Sequence, residues 1–189
     1  MSVIQIPNLP AAIALNGTEQ LEIVQAGVSC RTTTQDIANL NTTPCASYYS
    51  TQTQSHGAIG NTGIITCNQT DFEYSISKVS NSQFTAPVNG VYNLQFSLQL
   101  VSTLNNKHAY VWLKKNGNDV AQSNTEVDLA NKDYGYVAAW NFMVALNAGD
   151  YLQLAWTSDD AVAVKATDPA PYGPAVPSAI VTMNLVRRL

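Results

Sequence analysis

The residues that could support chemistry are two histidines and three pairs of carboxylates. Two acids spaced by two in a strand share a face, an arrangement that a glycosidase or a calcium site can use. No full ligand set and no assembled acid and base accompany them, so solvated strand edges explain the pairs as well. The pairs are Asp71 with Glu73, Glu126 with Asp128, and Asp159 with Asp160, and the histidines are His56 and His108.

Motifs of known enzymes are missing from the sequence. It contains no G-x-S-x-G, no H-E-x-x-H and no glycine-rich phosphate loop with its lysine. The three cysteines, Cys30, Cys45 and Cys67, have no C-x-x-C spacing, so we expect free thiols. We therefore expect no enzyme, no cofactor and no bound metal, with calcium at a carboxylate pair left open as an alternative.

Charge is scarce in this chain. Charged residues make up 12% of it, where roughly 25% is usual. The net charge of -4 comes without a basic stripe, which argues against nucleic-acid binding. No apolar run reaches the roughly 18 residues that a membrane-spanning helix needs, and the N-terminus lacks the basic region of a secretory signal. We expect no membrane insertion, and we expect the product to stay in the compartment where it is made.

The elements that must position these residues are strands. In "VYNLQFSLQL", apolar residues from Tyr92 to Leu100 alternate with Asn, Gln and Ser, a period of two that no helix produces. "WNFMVAL", "YLQLAW" and "SAIVTMNLV" repeat the pattern, and Asn116-Gly117 predicts a tight hairpin turn. The same alternation predicts that Trp112, Trp140 and Trp156 point into the core. Short alternating strands separated by turns predict an all-β antiparallel sandwich or barrel.

Residues 1–45 differ from the rest. Pro7 and Pro10 exclude a regular central strand, Leu21 and Ile23 alternate as in a short strand, and Thr33 or Thr34 can cap one helical turn. This segment is too small to hold a core, so we expect it to be ordered by packing on something else. The predicted boundary separates residues 1–45 from a domain at 46–189.

The polar faces of the predicted strands carry amides and hydroxyls in place of Lys and Glu. Charged residues usually protect the sheet surface and edges of a monomeric sandwich from other chains. A face of Gln, Asn, Ser and Thr can be covered by another subunit without desolvating charge. The pattern therefore favours self-association with closed symmetry.

Several segments resemble phage structural proteins of the complement and tumour-necrosis-factor-like jelly-roll type. They are "ASYYSTQTQ", "SNSQFTAPVNGVYNLQFSLQL", "VWLKKNGNDVAQSNTEVDL", "AAWNFMVALNAGDYLQLAWTSDD" and "PSAIVTMNLV". The pattern F-x-x-P-x-x-G-x-Y is present as Phe84, Pro87, Gly90 and Tyr92. The stretch "IPNLPAAIALNGTEQLEIVQAGVSCRTTTQDIANL" is similar to short modules of phage tail-fibre and other virion proteins.

The resemblance implies an antiparallel jelly roll of about ten strands that assembles as a homotrimer. The first, last and "VYNLQFSLQL" strands would lie in the inner sheet. By that analogy the trimer contacts include Tyr49, Gln95, Gln99, Asn141, Met143 and Thr182.

The function that the resemblance implies is that of a non-enzymatic virion structural protein, a tail or head-tail fibre or a capsid decoration. It would lie on the virion surface after assembly in the host bacterial cytoplasm, and other virion proteins would be its partners. Residues 1–45 would attach it through Ile6, Leu9, Leu21 and Ile23. The alternative is a lectin-like receptor-binding module, in which loop residues Asp159 and Tyr172 contact a host surface glycan.

Overall fold

Strands account for nearly all the regular structure of this chain. The computed structural model describes residues 14–40, 42–159, 162–168 and 172–189. These divide between two units, Met1–Thr42 and Thr43–Leu189, which are described separately.

The first unit holds a hairpin and a short helix. Strands β1 (Gln20–Gln25) and β2 (Val28–Thr33) pair antiparallel, and helix α1 spans Thr34–Leu40. The Thr33 hydroxyl accepts a hydrogen bond from the Asp36 amide at 3.1 Å, and the Asp36 carboxylate accepts one from the Thr33 amide at 3.0 Å. This reciprocal cap starts the helix, as the sequence predicts. None of the described residues of this unit is buried.

The second unit is a two-sheet sandwich, which confirms the predicted all-β jelly-roll class. Sheet I has the strand order β12-β8-β15-β3-β5, with β14 also paired to β8. Sheet II has the order β10-β9-β13-β7-β6, with β11 on β9 and β4 on β13. The strands are β3 (Cys45–Ser50), β4 (Gly63–Ile64), β5 (Gln69–Tyr74), β6 (Ser77–Val79), β7 (Gln83–Thr85), β8 (Gly90–Ser102), β9 (Lys107–Lys115), β10 (Asn118–Asp119), β11 (Thr125–Leu129), β12 (Gly135–Leu146), β13 (Tyr151–Ser158), β14 (Val162–Val164) and β15 (Ala179–Arg188).

The core lies between the two sheets and follows the predicted alternation. In β8 every second residue from Tyr92 to Leu100 is buried, and β13 contributes Trp156 at 1% exposure. The adjacent tyrosines of β3 point to opposite faces of the sheet, as neighbours in a strand do. Tyr48 is buried and stacks on Phe84, whereas Tyr49 faces outward. Large apolar side chains on facing strands thus form one continuous core.

Close packing against β15 explains why the F-x-x-P-x-x-G-x-Y pattern has a glycine at position 90. A Cβ built there would lie 2.6 Å from the Arg187 carbonyl oxygen, so no larger residue fits beside β15. Tyr92 follows on β8 and donates its hydroxyl proton to the Val88 carbonyl at 2.8 Å. The pattern therefore fixes the start of a central strand against its neighbour.

The prediction for the tryptophans is right for two of them and wrong for Trp112. Trp156 is buried, and Trp140 points inward but is only partly buried. Trp112 lies on the outward face of β9, because Val111 and Leu113 occupy the inward positions. Since β9 carries large apolar residues on both faces, alternation alone does not fix its phase.

Candidate functional surfaces

Four strands of sheet I share an outward face without charge. Among described residues, the outward positions of β3, β8, β12 and residues 179–185 of β15 contain no Asp, Glu, Lys or Arg. Arg187 and Arg188 follow only after the bulge that comes after Leu185. We call these outward positions the charge-free face. All the residues predicted as trimer contacts lie on it: Tyr49, Gln95, Gln99, Asn141, Met143 and Thr182.

Hydrogen bonds between asparagine side chains link neighbouring strands on the charge-free face. The Asn141 amide on β12 donates to the Asn93 side-chain oxygen on β8 at 3.0 Å. The Asn93 amide in turn donates to Asn184 on β15 at 3.5 Å, the upper limit of a hydrogen bond. Met143 is 55% exposed beside them. The face therefore combines exposed apolar area with amides that are already partly satisfied, which makes it inexpensive to cover.

The outward side of sheet II has a shallow pocket that the sequence did not predict. Its volume is about 320 Å³. The Trp112 indole donates to the Asp119 carboxylate at 2.6 Å, and Lys114 Nζ lies 2.5 Å from the same oxygen. The Lys114 ammonium, followed by the indole, lowers the pKa of Asp119. The pocket is lined by Tyr110, Trp112, Asp119, Val120, Gln122, Asn124 and Thr157.

The sequence holds no local signal for this pocket. His108 and Lys114 are in step with Trp112, but Lys107 and Lys115 are in step with the buried Val111 and Leu113. The charged residues of β9 therefore do not show which face of the strand points outward.

The predicted ligand residues Asp159 and Tyr172 have different surroundings. Asp159 follows β13 and contacts His108: its Oδ2 lies 2.7 Å from His108 Nδ1, and its Oδ1 accepts from the His108 amide at 2.9 Å. Tyr172 is 93% exposed in the loop between β14 and β15.

His108 is set among three carboxylates. Besides Asp159, its Nε2 lies 3.5 Å from Asp128 Oδ1 and 3.9 Å from Glu126 Oε1. The hydrogen bond to Asp159 is the main cause that raises the pKa of His108 above its usual 6.5. Burial opposes ionisation of Asp159, but hydrogen bonds from His108 outweigh it and lower the pKa of Asp159.

The other histidine has a structural setting. His56 Nε2 contacts the Ser158 hydroxyl, and His56 Nδ1 lies 3.0 Å from the Ala58 carbonyl oxygen. The imidazole packs edge-on against Trp156 at 4.9 Å between centroids. With both ring nitrogens occupied and the ring mostly buried, His56 is not placed as a general base for substrate.

Two of the predicted attachment residues are on β1. Leu21 is 43% exposed and Ile23 is half-buried. Ile6 and Leu9 lie outside the described residues. No described helix is long and apolar enough to cross a membrane.

The sandwich defines a class, the jelly rolls of the complement and tumour-necrosis-factor type, and comparison with known proteins agrees. The family model of the C1q domain matches residues 46–170, so the chain belongs to the C1q domain family. Domains of this kind are often trimeric and are typically structural or binding modules without enzymatic activity. No curated protein sequence matches the chain.

Solved structures are similar to this chain at low sequence identity. "Structure of Eiger TNF from S. frugiperda" is 10% identical, covering 78% of this chain and 94% of that chain with a TM-score of 0.53. Murine APRIL is 9% identical, covering 77% and 100% with a TM-score of 0.50. The globular domain of zebrafish complement 1qA protein is 16% identical, covering 78% and 100% with a TM-score of 0.48. At these identities the likeness concerns the fold alone.

Proposed function

We propose that the protein is a non-enzymatic structural protein of a bacteriophage particle that acts as a homotrimer. The single observation that carries the homotrimer is the charge-free face, and the resemblance of residues 46–189 to phage structural proteins supports a place in the particle. Three copies related by a closed three-fold rotation would cover that face with one another. The common trimeric state of C1q-type domains supports the same arrangement.

The physical reason for self-association is the composition of the face. Covering charged groups costs several kcal/mol per ion unless each is well paired, and the charge-free face avoids that cost. Exposed Val137, Met143 and Ile180 supply apolar area, while amides such as Asn93 can exchange water for hydrogen bonds across the contact. An interface with closed symmetry also leaves no free copy of this face to drive open-ended association.

The first unit is proposed to attach the trimer to other virion proteins. Its hairpin exposes Leu21, Val24 and Val28, and none of its described residues is buried. A small unit of this kind gains stability by packing on a larger surface. The resemblance of its sequence to modules of phage tail-fibre and other virion proteins supports the same role. Assembly in the host bacterial cytoplasm and a final place on the virion surface belong to this proposal.

Attachment can be tested separately from trimer formation with one substitution in the intact chain. Leu21→Asp places a charge on the exposed hairpin, and Leu104→Asp is a matched control, because Leu104 in the second unit is 47% exposed. We expect Leu21→Asp to stay trimeric but to be missing from purified particles of the encoding phage, measured by mass spectrometry. Leu104→Asp should incorporate normally. Normal incorporation of Leu21→Asp would show that the hairpin does not attach the protein.

A second candidate function, recognition of a host surface glycan, is favoured by the sheet II pocket. Trp112 and Tyr110 offer aromatic surface to the C–H faces of a sugar, while Asn124, Gln122 and Thr157 offer groups that hydrogen-bond to hydroxyls. The pocket is thus a second location for such a site, beside the predicted loop residues Asp159 and Tyr172.

A glycan array probed with the intact protein tests this second function. Consistent binding that is lost in Trp112→Ala and kept in Tyr134→Ala, an exposed tyrosine outside the pocket, would establish the pocket as the site. Loss in Tyr172→Ala would instead move the site to the loop. If the protein binds no glycan, recognition of a host glycan is excluded and the structural role is the function that remains.

A further inference from the structure

Three metal-ligating side chains converge on the outward face of sheet II. In the antiparallel pair β9–β11, Asp128 lies directly opposite His108, and Glu126 lies opposite Tyr110. Because side chains of a strand alternate, His108, Glu126 and Asp128 share one face. Their ligand atoms lie within 4.8 Å of one another. Two hydrogen-bonded strands hold all three side chains, which positions them more rigidly than loops would.

Asp159 fixes the orientation of the imidazole. Its two carboxylate oxygens accept from the ring and from the backbone amide of His108, at 2.7 and 2.9 Å, and the Asp159 amide donates to the His108 carbonyl at 3.2 Å. With the proton held on Nδ1, the lone pair of Nε2 points at Glu126 and Asp128. A carboxylate that orients a histidine in this way is the usual outer-shell partner of a metal-binding imidazole.

When His108 Nε2 carries no proton, all three converging groups are hydrogen-bond acceptors. A neutral Nε2 and the two carboxylates of Glu126 and Asp128 have no donor to offer one another, so a positive species between them would stabilise all three groups. That species is either a proton on Nε2 or a metal cation. The two are distinguishable, because a proton uses only the histidine while a cation requires all three groups.

We propose that His108, Glu126 and Asp128 bind a divalent transition-metal ion of the zinc type, with Asp159 as the positioning residue. Ligands of tetrahedral zinc at about 2.0 Å are roughly 3.3 Å apart. The 3.5 Å separation from Nε2 to Asp128 already fits, and the 3.9 Å separation to Glu126 closes by a small rotation of an exposed side chain. The nitrogen ligand favours Zn²⁺ over Ca²⁺ and Mg²⁺, and three protein ligands leave a position for water. This proposal does not depend on the trimer.

Sequence alone left this site incomplete. The sequence shows Glu126 with Asp128 as a carboxylate pair, but His108 lies on β9 and Asp159 directly follows β13. Only the pairing of β9 with β11, and of β9 with β13, brings the four side chains together.

Isothermal titration of the intact chain with ZnCl₂ tests the site. The titration is done on a Cys30→Ser, Cys45→Ser background, because the half-exposed thiols of those residues bind zinc themselves. We expect one Zn²⁺ per chain, with binding lost in His108→Ala. Asp159→Asn should keep the stoichiometry and weaken the affinity by about 10- to 100-fold.

The matched control is the double variant Asp71→Asn, Glu73→Gln. These two acids on exposed strand β5 have the same spacing as Glu126 and Asp128, and the control should bind Zn²⁺ as the parent does. A shift of the His108 Nε2 resonance on adding Zn²⁺ would confirm the ligand atom. The proposal is overturned by no saturable Zn²⁺ binding, by binding that survives His108→Ala in a chain with unchanged circular dichroism, or by equal affinity for Ca²⁺.

Discussion

A single lysine at the centre of the charge-free face should prevent the proposed trimer from forming. Thr182 is half-buried on β15, between Ser47 on β3 and Gln95 on β8. The outward positions around it carry no carboxylate, so the ammonium introduced by Thr182→Lys would be covered without a counter-charge. In the monomer the same lysine can extend into water, so the cost falls on association alone.

The size of the effect follows from the number of copies. Covering an unpaired ammonium costs several kcal/mol. Taking roughly 3 kcal/mol for each of three copies gives about 9 kcal/mol per trimer, which is about six orders of magnitude in the dissociation constant. Such a loss converts a stable trimer into a monomer at ordinary laboratory concentrations.

Sedimentation velocity over a range of concentrations measures this directly. The matched control is Thr85→Lys, because Thr85 is a half-buried threonine on the outward side of β7 in sheet II. We expect Thr182→Lys to sediment as a folded monomer and Thr85→Lys to sediment with the parent trimer. A trimeric Thr182→Lys variant would refute the use of this face, and a parent chain that stays monomeric at high concentration would refute self-association itself.

Three further predictions concern stability. Trp140→Ala should lower the free energy of unfolding by about 3 kcal/mol, or roughly 6–12 °C in Tm, because the ring packs edge-on against Phe96. Trp140→Phe should cost much less in the same melts, since the buried indole N–H has no hydrogen-bond partner among described residues. Hydrogen bonds from the Asn116 side chain and, to a smaller extent, from the Asn147 amide lower the pKa of Asp150 to about 2. The ionised carboxylate should therefore stabilise the fold above pH 3.8, and this contribution should be lost as the pH falls toward 2. Urea titrations across that range should show the loss in the parent and not in Asp150→Asn. His108 has a raised pKa, so in chelator-treated protein its contribution should be complete below pH 6.5 and disappear as pH rises through the higher, folded-state value. If the stability of His108→Asn depends on pH in the same way as that of the parent, this prediction is wrong.

Much of the sandwich could be predicted from local patterns in the sequence. The buried side of β8, the opposite orientation of the adjacent Tyr48 and Tyr49, and the cap of α1 each follow from residues that are neighbours along the chain. Side-chain alternation and capping are properties of the local backbone, so they can be recognised before any long-range contact is known. The absence of charge from the outward positions of β3, β8, β12 and residues 179–185 can be recognised in the same way.

What only the tertiary structure decided is which residues meet across strands. The phase of β9 turned Trp112 outward, because the burial of Val111 and Leu113 against the opposite sheet chose between two faces that both carry large side chains. The register of β9 with β11 and β13 brought His108 to Asp128 and Asp159. Register is set by pairing between distant segments, and a shift of one residue would exchange every face. For that reason the charge-free face could be anticipated from composition, whereas the sheet II pocket and the histidine cluster could not.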